Sequence, residues 1–99
     1  MEVKRKEELL DGCFEFGKEL RHELDKRNYY PVPAMLRINE LLIRQQFDRM
    51  LEEIMILVSR CGIMVPKCFK DCCQNEELVI SACQFFLAGM TYTNKKKTE

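Results

Sequence analysis

The segment ELLDGCFEFGKELRHEL, residues 8–24, has a periodicity that only one kind of secondary structure satisfies. Placed at about 100° per residue, Leu9, Leu10, Cys13, Phe14, Phe16, Leu20 and Leu24 fall on one face. Lys18, Arg21, His22, Lys26 and most of the glutamates fall on the other. The pattern predicts a helix over Val3–Arg27. Gly17 lies inside its apolar stripe, where the missing side chain lets another helix approach closely. Glu23 and Arg27 form an i, i+4 pair in the favourable order.

Downstream, Asn28-Tyr29-Tyr30-Pro31-Val32-Pro33 ends this helix, because two prolines one residue apart forbid continuation. Pro33 suits the first turn of a second helix. So short a connection makes the two helices antiparallel neighbours. The second helix is predicted over Ala34–Arg60, about 40 Å if continuous. Its main stripe is Leu36, Ile43, Phe47, Met50, Leu51, Ile54, Leu57, Val58 and Cys61, with Ile38, Leu41 and Leu42 as a patch off that stripe. Glu40–Arg44 and Arg49–Glu53 are further i, i+4 pairs. Gly62 supplies the stop.

A connector, Ile63–Gln74, carries a short helix from Pro66 to Cys72. Asn75 is a suitable N-cap, and Glu76 and Glu77 place negative charge in the first turn of a last helix running to about Met90. No charged residue occurs between Leu78 and Asn94, and the apolar positions cover most of the circumference, as in a helix buried on more than one face. No alternating segments bounded by turn dipeptides argue for strands. The expected fold is all-α: a small antiparallel bundle of three main helices plus one short connecting helix. One domain spans residues 1–94, and residues 95–99 form a disordered basic tail.

Composition narrows the function classes. At 46% hydrophobic residues the 99-residue chain is too apolar to be disordered. Sixteen basic and sixteen acidic residues give zero net charge, which argues against a chain whose main work is neutralising phosphate. The charged segment Met1–Glu8 does not resemble a secretory signal, and no stretch reaches the roughly 20 apolar residues of a membrane span. A cytoplasmic location is expected, with the cysteines as thiols.

Those cysteines are Cys13, Cys61, Cys68, Cys72, Cys73 and Cys83. A structural zinc site announces itself by two closely spaced pairs, and only Cys68 and Cys72, with Cys73 adjacent, approach that spacing. Cys73 and Cys83 have nine residues between them, a spacing that helical-hairpin proteins of the mitochondrial intermembrane space use twice and this chain has once. Glu19-Leu20-Arg21-His22 matches the Glu-x-x-His unit of di-iron bundles, but the chain holds a single histidine and it faces away from the apolar stripe. Ser59 and Ser81 have no nearby base, and the four glycines form no phosphate loop. No catalytic residue, metal, cofactor or small-molecule ligand is expected.

The remaining signal is apolar surface beyond what one shared core requires. Ile38, Leu41, Leu42, Phe85 and Met90 are the expected interface residues, and a homodimer, or a complex with another protein in an adaptor or regulator role, is the expected assembly. The alternative reading is a small DNA-binding regulator. It draws on Lys4-Arg5-Lys6, the terminal lysines and a helix-turn-helix reading of the last two helices. It requires polar groups on a recognition helix, and Leu78–Met90 has almost none.

Overall fold

The computed structural model describes residues 3–92, and every element among them is an α-helix: α1 (Val3–Lys26), α2 (Val32–Ile43), α3 (Phe47–Cys61), α4 (Lys67–Cys73) and α5 (Val79–Thr91). The tail expected at 95–99 lies outside the described residues. The all-α class holds. One helix of the expected arrangement is two.

α1 ends where Asn28 was expected to end it. Asn28 adopts a left-handed φ of 57°. The Tyr29 amide donates to the Leu24 carbonyl at 2.9 Å, and the Asn28 amide donates to the Asp25 carbonyl at 3.0 Å. This pair of bonds is the Schellman pattern, which satisfies carbonyls that the last helical turn leaves free. The same pattern recurs inside the expected second helix and divides it into α2 and α3. Gln45 has φ 60°, and the amides of Gln46 and Gln45 donate to the carbonyls of Leu41 at 2.9 Å and Leu42 at 3.0 Å. No glycine or proline marks this stop, so composition conceals it.

The break changes which face of α2 turns inward. A continuous helix would align Leu36 and Ile43 with Met50, Ile54 and Leu57. Once α2 is free of that phase, it buries Ile38 and Leu42 instead, and Leu36 and Ile43 face solvent. Of the patch expected on the surface, Ile38 and Leu42 are thus core and Leu41 is half-buried, and two residues of the expected core stripe are surface.

α1 packs chiefly on α5. Gly17 and Gly89 make this crossing possible. A Cβ at Gly17 would land on the Phe86 carbonyl oxygen, and one at Gly89 would land on the Phe14 carbonyl oxygen. The sequence expectation for Gly17 is met, and α5 is the helix that approaches. Phe16, Phe69 and Phe86 close a triangle joining α1, α4 and α5, with ring centroids 5.1, 5.1 and 5.4 Å apart. Two arginines, Arg21 of α1 and Arg27 just beyond its end, reach across to helix ends: Arg21 Nη1 donates to the Met90 carbonyl at 2.7 Å, and Arg27 Nη2 to the Cys61 carbonyl at 3.2 Å. Each places positive charge at a helix C-terminus, where the backbone dipole favours it.

Asn75 acts slightly ahead of its expected role. Its Oδ1 accepts from the Glu77 amide at 2.8 Å, and its carbonyl accepts from the Val79 amide at 2.9 Å. Residues 76–78 therefore form a turn and α5 begins at Val79. Glu23–Arg27 and Glu40–Arg44 form their ion pairs at 2.8 and 2.9 Å. Glu53 instead meets Arg37 across α2 and α3 at 3.5 Å, and Arg49 turns to Gln46.

Candidate interaction surface

Five residues were expected at an interface, and the structure separates them. Ile38, Leu42 and Met90 are buried in the core, so they have no free surface to offer. Leu41 is half-buried against the core. Phe85 is 38% exposed, on the side of α5 that also shows Ser81 and Ala88. Ile38 and Leu42 turn inward because residues 34–60 form two helices, α2 and α3, where one continuous helix is expected.

The apolar surface that does exist on α2 is its outer ridge. Leu36 is 65% and Ile43 72% exposed, and Val32 is partly exposed one turn before Leu36. Spacings of four and seven residues place the three on one line along the helix. Glu40 lies between Leu36 and Ile43 in sequence, on the adjacent part of that face, and pairs with Arg44 at 2.9 Å. The sequence signal was present in Leu36 and Ile43, but it was assigned to the core.

A second apolar feature lies between α3 and α4. Leu51, Ile54, Met55, Val65, Phe69 and Cys73 line a shallow groove of about 180 Å³, with Lys70 and Gln74 at its rim. It is smaller than the roughly 300–1,000 Å³ of small-molecule pockets. Sequence reasoning missed it because Val65 comes from the connector, which had no periodicity to read.

A larger, open depression of about 530 Å³ runs along α1 beside Tyr92, lined by Glu15, Lys18, Glu19, Arg21, His22 and Asp25. It contains the Glu19-x-x-His22 unit, on the exposed side of the helix. Its cations are already engaged. Arg21 pairs with Asp25 at 3.0 Å, Lys18 with Glu15 at 3.6 Å, and the Lys18 ammonium stands 4.7 Å from the Tyr92 ring centroid.

The thiols are mostly interior. Cys13, Cys61, Cys72 and Cys83 are buried, and Cys68 and Cys73 are partly so. Cys13 of α1 lies beside Cys72 of α4, and the Cys68 sulfur rests over Gly12. Burial raises the pKa of Cys13, Cys61 and Cys72, and pushes Cys73 and Cys83 up to about 12. The Cys83 thiol donates to the Met50 sulfur at 3.3 Å. Among the described residues no three His, Cys, Asp or Glu side chains are grouped to hold a metal ion, and none of the buried side chains is polar or charged.

No protein-family model, curated protein or solved structure matches this chain.

Proposed function

We propose that this chain is a protein–protein interaction module, without catalytic chemistry of its own, that self-associates through the outer ridge of α2. The observation that carries the reading is the pair Leu36 and Ile43, two large aliphatic side chains 65% and 72% exposed on one line of a 12-residue helix. Fully burying such a side chain contributes about 1.5–3 kcal/mol. The adjoining charges are already paired as Glu40–Arg44 and Arg37–Glu53, and the net charge is zero, so two copies meet no long-range repulsion. The reading places the protein in the cytoplasm, where its thiols stay reduced. No described helix is long and apolar enough to cross a membrane.

Sedimentation equilibrium across a wide concentration range tests the proposal, with Leu36→Glu and Ile43→Glu beside the wild type. The wild type is expected to reach twice the chain mass. Both variants are expected to remain monomeric with unchanged helical circular dichroism, because each charge then sits on solvent-facing positions. A wild type that stays monomeric at the highest concentration overturns the reading. So does a dimer that both variants leave intact.

A further inference from the structure

We infer that the α2 ridge of one chain docks into the α3–α4 groove of a second copy, and that the exchange is reciprocal. The inference rests on the self-association proposed above and specifies which surface meets which.

Three observations favour this occupant. The groove, at about 180 Å³, is on the scale of a single large side chain and is lined almost wholly by apolar groups. An aliphatic knob fits it; a drug-sized or nucleotide-sized ligand does not. The charge at its rim is Lys70, which makes no ion pair among the described residues. The complementary partner is therefore an exposed aliphatic side chain with a carboxylate one turn away. The chain itself displays that arrangement at Leu36, Glu40 and Ile43, at i, i+4 and i+7 on α2. Leu36 and Ile43 are about 10 Å apart along the helix axis, so one can enter the groove while Glu40, paired with the exposed Arg44 in the single chain, turns to Lys70 of the second copy.

Each chain carries both the ridge and the groove. Two copies related by a two-fold axis make the contact twice and close as a dimer, whereas a head-to-tail relation repeats it along a filament, so a mass that stops at two chains is part of the expected result. Met55, 47% exposed at the groove wall, supplies a side chain flexible enough to close over the incoming residue.

Charge reversal tests the contact, because Glu40 and Lys70 are both exposed and their replacement leaves the core untouched. The experiment measures the dimer dissociation constant at low salt for wild type, Glu40→Lys, Lys70→Glu and the double variant. Each single change places like charges opposite each other and is expected to weaken the dimer roughly three- to tenfold. The double variant restores the opposite pair and is expected to return to within about threefold of wild type. Val65→Trp, which fills the groove from its own chain, is expected to weaken the dimer at least as much as either charge change. If the wild type dimerises but the double variant shows no rescue, or Val65→Trp has no effect, this docking is wrong and self-association stands by another route. If the wild type is a monomer, both readings fall together.

Discussion

Single residues decide two features of this fold. Gln45 occupies the left-handed region, which costs a residue with a Cβ about 1–2 kcal/mol relative to its preferred conformation. Gln45→Gly is therefore expected to raise stability by up to about 1 kcal/mol in urea unfolding. A continuous helix through residue 45 predicts the opposite sign, since glycine in a helix interior costs about 1 kcal/mol. The measured sign thus tells the break from the unbroken helix without a structure. Gly89 gives the converse case. Helix propensity alone favours alanine there by about 1 kcal/mol, but the added methyl meets the Phe14 carbonyl and the Lys18 amide nitrogen of α1. Backbone cannot rotate aside as a side chain can. Gly89→Ala is expected to lose about 1–3 kcal/mol by the same measurement, and a neutral or stabilising result would mean that α1 and α5 do not cross at these glycines.

At the scale of elements, α1 was the most legible in the sequence. Its stripe of Leu10, Cys13, Phe16, Leu20 and Leu24 is the buried face, and Asn28 ends it. α5 was legible in part: a helix without charges buries most of its circumference, and Val79, Ala82, Cys83 and Phe86 are buried, but Met90, expected at an interface, is buried with them while Ile80 and Phe85 stay exposed. The register of α2 was not legible. Its stop lies in Arg44-Gln45-Gln46, three polar residues that are ordinary members of a helix, and the left-handed turn there is held by backbone bonds that leave no composition signal. A single missed stop exchanged core and surface over α2, and with them two of the five expected interface residues, Ile38 and Leu42. Phase is testable by paired truncation. Ile38→Ala is expected to cost about 2–5 kcal/mol as a buried aliphatic truncation, and Leu36→Ala to stay within about 0.5 kcal/mol in the monomer. The unbroken helix predicts the reverse order, and chemical denaturation at low protein concentration reads which order holds.

Burial holds the Cys73 and Cys83 thiols protonated, and this makes the stability of the molecule as a whole depend on pH in the alkaline range. Burial pushes Cys83 from an ordinary 9.0 up to about 12, with the charge of Cys73 adding to the effect. Burial likewise pushes Cys73 up to about 12, with the Cys72 charge adding. In the unfolded chain these thiols lose their protons near pH 9, while the native chain holds them. Between those values the folded state binds more protons than the unfolded one, so stability falls as pH rises. The contribution is fully present below pH 9 and is lost progressively as pH climbs through the folded value of about 12. One fully shielded thiol gives a slope of at most about 1.4 kcal/mol per pH unit. Lysines and tyrosines titrate in the same range, so the comparison that isolates the thiol is wild type against Cys83→Ala, both under reductant. The alanine variant is expected to be less stable at pH 8 because it leaves a cavity beside Met50. Its deficit should then shrink as the pH is raised to 10 and 11, because the wild type loses proton-linked stability that the variant never had. Urea unfolding at pH 8, 10 and 11 measures the two slopes. Parallel slopes would show that Cys83 ionises equally readily in the folded and unfolded chains, and that the contact between α3 and α5 does not exclude water from it.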